Sequence, residues 1–342
     1  MNGTMLSAVY LGKEQVALRQ VPIPQPGPRD VLIRNICSSI CGTDAAVFRR
    51  GPGTGHRITV GGEFGHETVS RVAAVGAQVT EFRVGQRVYP YPRFAKGNTR
   101  RAGTIGGFSE YILILEAKAG RSLYPVPDVS SDRAACRIEP FTVGCRAARR
   151  SMPKEGQHAV VFGCSTIGAA AAIALKWFGV KKVLVCDLSA LRLSIMEQLG
   201  FAICNMERED FVEKAVSYFG AAPALGKDTA DIDIFIDAAG AERVLDLFME
   251  IGKIESLFVS VAVNNAIRKL DLLHLTYAQK SIIGSGGYMP EDVAEIFAMM
   301  QSGRWNISSL VTHQFPLRDI ETALRTAAEP GSALNVVIEF TP

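Results

Sequence analysis

The sequence predicts an α/β protein in two parts, a β-rich module and a doubly wound parallel sheet, and three observations predict it. Gly and Pro punctuate short β-branched runs through the first ~125 residues. From Gln157 onward, short apolar runs alternate with breaker-poor segments of helical length. A glycine-rich turn, Gly163 to Gly168, joins the first of those runs to the segment after it.

In chain order, strands are expected over Val16 to Val21, Asp30 to Ile36, Glu67 to Val75 and Glu110 to Leu115. Their spacing suggests an antiparallel, partly barrel-like module. Asp132 to Ser151 has few breakers and reads as one helix, capped by Ser131 or Ser130. The alternation then runs strand His158 to Phe162, helix Thr166 to Phe178, strand Lys182 to Cys186 and helix Ser189 to Leu199. Later strands are expected at Ile232 to Ile236, Leu257 to Val263 and Ser281 to Gly284. Such alternation calls for a parallel sheet covered by helices on both faces. A helix over Pro290 to Ser302, another from Leu317, and a strand over Leu334 to Phe340 complete the chain. That last strand is expected to pack back on the first module.

Composition narrows the function classes. The 342 residues suit about two domains. Lys and Arg number 37 and Asp and Glu 34, so no strong field points to nucleic acid or a membrane surface. The longest apolar stretch, Ile167 to Leu175, is far short of the ~20 residues a membrane span needs. The first residues lack the basic start and long apolar core of a secretory signal. Seven scattered cysteines with no C-x-x-C pair suit a reducing compartment, so a cytoplasmic location is expected.

The segment Gly163-Cys164-Ser165-Thr166-Ile167-Gly168 is G-x-G-x-x-G with Ser165 at the second glycine. The first glycine allows a tight turn, the last allows close packing of helix on strand, and the helix N-terminus offers N–H groups to a pyrophosphate. Ser165 carries a Cβ where backbone normally approaches the phosphates, which either sets the loop back or supplies a hydroxyl donor. Asp187 ends the next strand, 24 residues after Gly163, where a carboxylate can accept both ribose hydroxyls. A carboxylate there repels a 2′-phosphate, which favours NAD over NADP. Arg192 lies one helical turn on, able to stack on adenine or to pair with Asp187. The alternative is an ordinary βαβ unit with a glycine-rich turn.

Three groups in the first part carry metal-ligand chemistry: Cys41, the adjacent His66 and Glu67, and Glu139 before a proline. Thiolate, imidazole and carboxylate together can hold a four-coordinate zinc. Each is unremarkable alone, since a lone Cys is usually a small buried hydrophobe and a lone Glu is usually solvated.

Taken in order, Cys41-Gly42-Thr43-Asp44, Gly65-His66-Glu67, Gly107-Phe108-Ser109-Glu110-Tyr111, Glu139-Pro140 and the Gly163 loop resemble the zinc-dependent medium-chain alcohol dehydrogenases. The branch they resemble is that of polyol (sorbitol), butanediol and threonine dehydrogenases. Ile236-Asp237-Ala238-Ala239-Gly240 and Val311 to Leu317 agree, and the likeness runs from about Ser7 to Glu339. The resemblance implies a GroES-like catalytic domain, residues 1–150 and 289–342, split around a Rossmann NAD-binding domain, residues 151–288. It implies a catalytic zinc held by Cys41, His66 and Glu139, with Glu67 as a fourth or exchanging ligand. Asp44 would orient the ring of His66. Thr43 would hydrogen-bond the substrate hydroxyl, and Gly163, Ser165, Thr166, Ile167, Gly168, Asp187, Arg192 and Ala239 would line the NAD site.

Three departures from that family stand out. Many relatives carry a second, structural zinc on four close cysteines, but no Cys lies between Cys41 and Cys136, so one zinc per chain is expected. The short loop there carries Arg93, Lys96, Arg100 and Arg101, which read as a solvated basic loop or a grip for an anionic substrate or a neighbouring subunit. Ala46 stands where many relatives place a proton-carrying histidine, and His56 is a weak substitute. Gly252-Lys253 keeps one glycine where relatives have two.

The chemistry implied is Lewis-acid activation of an alcohol, with hydride passing to the nicotinamide. A divalent ion with Cys41, Glu67 and Glu139 all ionised is net negative, so release of Glu67 is expected to accompany turnover. The leading expectation is a zinc- and NAD-dependent dehydrogenase of a secondary alcohol in a polyol, sugar or cyclitol. Ala45 and Ala46 leave space for a bulky hydrophilic substrate. A hydroxy amino acid of the threonine type is the alternative substrate. A zinc-free NAD(P)H reductase and a non-catalytic NAD(H) sensor are the competing classes. The resemblance also implies a homodimer or homotetramer.

Overall fold

Strand Val31–Ser39 is buried along nearly its whole length, because it is the hub of the first sheet. The computed structural model describes residues 3–53, 58–95, 104–128, 130–264 and 267–340. One edge of the hub pairs antiparallel with Glu67–Val75. Its other edge pairs first with Tyr111–Ile114 and then with the C-terminal strand Val336–Glu339, in the register Val337 to Ser39, Ile338 to Ser38 and Glu339 to Cys37. The tail therefore returns to the first module, as expected. His313–Pro316 extends the sheet beyond it in parallel. Arg87–Pro90 and Leu123–Pro125 extend the far side. A separate hairpin, Thr4–Gly12 with Gln15–Pro22, completes the strands.

By its contacts the chain forms two compact units, Met1–Glu139 with Met300–Pro342, and Pro140–Met299. Two apolar clusters hold the first. One gathers Tyr10, Phe48, Phe64, Phe108 and Ile338, and the other Ile33, Val72, Val88 and Ile112.

The second unit has six parallel strands in the order Ala202–Asn205, Lys182–Asp187, His158–Phe162, Ile234–Asp237, Leu257–Ser260, Ser281–Gly284. Numbered along the chain this is 3-2-1-4-5-6, the Rossmann order. The central runs are apolar on both faces, as strands covered by helices must be: Val160, Val161, Leu184, Val185, Phe235 and Ile236 are fully buried. Helix Thr166–Trp177 is built of small residues, and Gly144 of Ile138–Arg150 packs so tightly on it that an added Cβ would lie 2.6 Å from that of Ala170.

Several elements differ from expectation: the strand expected over Leu257 to Val263 stops at Ser260, and the helix expected from Leu317 opens as a 3₁₀ turn before Ile320–Ala328. Residues 132–151 form two helices, Asp132–Ala135 and Ile138–Arg150, instead of one. Pro140 has no N–H for the Cys136 carbonyl and its ring would strike that carbonyl, so the helix restarts with Pro140 in its first turn. The Ser131 cap is present, accepting the Ala134 N–H at 3.2 Å. A short hairpin, Ala221–Ala224 with Lys227–Ala230, had no alternation to announce it.

Candidate active site

Cys41 is the N-cap of helix Gly42–Arg50, so its side chain projects from a helix start. The Asp44 carboxylate accepts the Cys41 N–H at 3.3 Å, and Thr43 Oγ1 donates to Cys41 Sγ at 3.1 Å. The local sequence Cys-Gly-Thr-Asp thus folds back on its own first residue.

His66 and Glu67 open strand Glu67–Val75, presented by a glycine turn. Gly65 has φ +91°, and a Cβ there would lie 2.8 Å from the Phe108 ring. Gly107 N–H donates to Gly65 O at 2.8 Å, and a Cβ on Gly107 would meet the Gly65 carbonyl carbon at 2.8 Å. Asn35 and Ser38 in turn donate to Gly107 O at 3.0 and 2.6 Å. The Gly107-Phe108-Ser109 motif is therefore the support against which the His66 loop rests. Sequence reading quoted it without finding this role.

The donor atoms of Cys41, His66 and Glu67 lie within 4.8 Å of one another. His66 and Glu67 are buried and Cys41 is half-buried. Glu139, in the first turn of Ile138–Arg150, lies outside that span but acts on it electrostatically: its charge raises the Cys41 thiol and faces His66. Asp44 Oδ2 is 3.6 Å from His66 Nδ1, an ion-pair distance but not a hydrogen bond.

Crowded anions set the electrostatics. Burial, then Glu67 and Asp44, push Glu139 up to about 8, against the pull of His66. Burial and Glu67 lift Asp44 to about 6, against His66 and the Cys41 N–H. Burial with Glu67, Asp44 and Glu139 drives Cys41 well above the thiol range. Burial opposes protonation of His66, but the three carboxylates outweigh it. Glu67 Oε2 and Asp44 Oδ1 are buried without a hydrogen-bond partner among the described residues. Soft thiolate, imidazole and orphaned carboxylate oxygens in one pocket fit a bound divalent cation, and zinc in particular.

In the second unit, Gly163 ends strand His158–Phe162 with φ +94°, and a Cβ there would lie 2.9 Å from Ala239 N. A Cβ on Gly168 would fall 1.7 Å from Gly163 O, so that position admits glycine alone. Ser165 caps helix Thr166–Trp177 through its backbone, and its side chain makes no cap hydrogen bond. Asp187 Oδ2 accepts the Cys164 N–H at 2.6 Å and Oδ1 accepts the Ser189 N–H at 2.8 Å, tying the loop to the next helix. Arg192 Nη1 stands 3.9 Å from Asp187 Oδ2. Asp237 Oδ1 accepts the Ala239 and Gly240 N–H groups, fixing the neighbouring turn. Gly163, Gly168, Asp187 and Ala239 thus meet at the carboxyl ends of strands 1, 2 and 4, where open α/β sheets bind ligands.

A second group of potential ligands, His158, Asp231 and Asp233, holds its own cation. Lys253 Nζ lies 2.6 Å from both aspartates, which gives the lysine beside Gly252 a structural role. Of the basic loop, Arg93 stacks over Phe94 at 5.4 Å, while Lys96, Arg100, Arg101 and also His56 lie outside the described residues. Sequence reading missed Arg137, a fully buried arginine two residues before Glu139, because no periodicity marks a charge inside an apolar run.

Comparison with known proteins agrees with this geometry. Residues 27–128 match the alcohol dehydrogenase GroES-like domain, and residues 166–302 match the zinc-binding dehydrogenase family. L-threonine 3-dehydrogenase of Mesorhizobium japonicum is 29% identical over 98% of this chain and 99% of its own. Sorbitol dehydrogenase of Bos taurus is 27% identical over 98% and 96%. Among solved structures, 2R,3R-butanediol dehydrogenase from Bacillus subtilis superposes with a TM-score of 0.84 at 24% identity, covering 98% of this chain and 99% of that one. With both family models matched in order on the two units, and full-length dehydrogenase relatives, the chain belongs to the zinc-dependent medium-chain alcohol dehydrogenases.

Proposed function

We propose that this protein oxidises a secondary alcohol of a polyol, sugar or cyclitol with NAD, using one zinc ion per chain. The observation that carries the reading is the convergence of Cys41, His66 and Glu67 within 4.8 Å, with Glu139 adding its charge. Cys41, His66 and Glu139 would hold the zinc, with Glu67 as the exchanging ligand. Zinc bound there supplies Lewis acidity toward the alcohol, and NAD accepts the hydride.

The protein's own groups do the rest. Thr43 Oγ1 spends its hydrogen on Cys41 Sγ, so it is left as an acceptor for the substrate hydroxyl proton. Asp44, fixed by the Cys41 N–H, holds the His66 ring by charge. Gly163, Ser165, Thr166, Ile167 and Gly168 would present N–H groups to the NAD pyrophosphate, Asp187 would take the ribose hydroxyls, Arg192 would flank them, and Ala239 would line the cofactor site. The half-buried Cys41 leaves the site open to a hydrophilic substrate.

The likeness to an L-threonine 3-dehydrogenase supports a second reading, oxidation of a hydroxy amino acid. A screen of NAD reduction over polyols, inositols, sugar phosphates and hydroxy amino acids decides between them. Polyol or cyclitol turnover is expected; turnover confined to hydroxy amino acids overturns the first reading. Elemental analysis should find one zinc per chain; none would favour a zinc-free reductase, and two would reveal a structural site despite the missing cysteines.

We further infer a homodimer or homotetramer in the cytoplasm. Ser281–Gly284 is an edge strand, and Leu272, Leu273 and Tyr277 on the preceding helix are largely exposed. No helix among the described residues is long and apolar enough to cross a membrane. A monomer in sedimentation equilibrium overturns the oligomer.

A further inference from the structure

We propose that Arg137 is a positioning residue for Glu67, its guanidinium receiving the Glu67 carboxylate whenever no cation holds it. This deepens the zinc reading above and rests on it. Arg137 is among the largest fully buried side chains of the protein. It occupies the joint between helices Asp132–Ala135 and Ile138–Arg150, next to the fully buried Ile138 and the buried Cys136. Nη1 donates to Arg133 O at 2.5 Å, while Nε and Nη2 have no hydrogen-bond partner among the described residues.

A guanidinium keeps its charge in any protein environment, so burying it with two N–H edges unmatched is costly. A leucine or methionine at such a site would pack at lower cost. The charge must therefore answer another charge. Cys136 is hydrogen-bonded to Cys37, and Cys37 lies on the hub strand whose Ser39 is paired with Glu67. Thr68, next to Glu67, donates from Oγ1 to Cys37 O at 3.1 Å. Arg137 is thus set against the start of the Glu67 strand. The charged or titratable groups acting on it are Cys136, Cys37, Glu67 and Arg133, of which Glu67 is the carboxylate.

Glu67 has the complementary deficit. It is 1% exposed, and its Oε2 has no hydrogen-bond partner among the described residues. When a substrate displaces this carboxylate it cannot turn to water. Arg137 offers two unmatched donors, and Glu67 offers one unmatched acceptor of opposite charge. A carboxylate moving between the two positions stays buried throughout, which keeps the exchange cheap.

The test compares Arg137→Met, which keeps the stem and removes the charge, with Arg137→Lys, which keeps the charge. Zinc affinity is measured by chelator competition, and the zinc-induced rise in melting temperature is read alongside kcat and KM. Without its competitor the Glu67 carboxylate stays on the metal. Arg137→Met should then bind zinc more tightly by on the order of tenfold, the scale of one screened charge–charge interaction within a protein. Its zinc-induced melting shift should grow and its kcat fall with little change in KM, while Arg137→Lys stays near the native values. Unchanged zinc affinity in Arg137→Met, or weakened affinity in both variants, overturns the proposal and leaves Arg137 a packing residue. A native protein that binds no zinc overturns the underlying reading instead, and Glu67→Gln with native zinc affinity removes Glu67 from the ligand set.

Discussion

His66 and Glu67 are neighbours in sequence, yet both serve one cluster, and the Gly65 turn braced by Gly107 is what permits it. A Cβ at Gly107 would press on Gly65 and on His66 N at 2.9 Å. Gly107→Ala is therefore expected to displace the imidazole and weaken zinc binding roughly ten- to a hundredfold, the size seen when supports of metal ligands are lost. Zinc retained on dialysis against a chelator measures it, and native retention would show that the loop yields freely. In the second unit, Asp187→Asn preserves shape but removes charge. NAD affinity should fall about tenfold, the scale of a lost charge-assisted hydrogen bond, while discrimination against NADP narrows. An unchanged NAD-to-NADP ratio of kcat/KM would remove Asp187 from the ribose site. Glu67→Gln tests the exchanging ligand: a fall in turnover is expected, and unchanged turnover with unchanged zinc content would refute the role.

Helices here are ended and restarted by identifiable groups. Pro140 breaks one expected helix into two, which places Glu139 in a first turn and leaves Arg137 in the joint. Helix Glu242–Ile251 is closed by a side chain from elsewhere: Lys280 Nζ donates to Phe248 O at 3.0 Å and Met249 O at 2.6 Å. Burial lowers Lys280 to about 8. A folded-state value below the unfolded one means that the folded protein releases this proton first. Its charged form therefore costs stability below pH 8, and that cost is relieved as pH rises from about 8 toward the unfolded value of about 10.4. Urea unfolding should show native stability gaining over Lys280→Met across that window. Parallel pH profiles for the two proteins would contradict it.

For the molecule as a whole, the chain leaves its first unit, builds a six-stranded parallel sheet, and returns to finish the unit it left. Val336–Glu339 is an interior strand, paired with the hub on one side and His313–Pro316 on the other. Removing residues 334–342 should therefore strip Val31–Ser39 of a partner, bare the cluster around Tyr10 and Phe48, and abolish zinc binding. A truncated protein that still holds zinc after chelator dialysis would refute this.

Much of this was legible in the sequence. Glu67–Val75 and Ser281–Gly284 match their expected bounds because β-branched runs between breakers announce strands. The parallel sheet followed from the alternation, and the Gly163 loop and Asp187 from their spacing along one βαβ unit. Local patterns carry such features because they depend on residues within a few turns of one another. The candidate metal ligands could be assembled only through resemblance, since nothing in spacing says that positions 41, 66 and 67 converge. What remained for tertiary structure was of that kind: the brace of Gly107 on His66, the sharing of Asp231 and Asp233 by Lys253, and the full burial of Arg137. Each depends on contacts between residues far apart in sequence, which no local periodicity encodes.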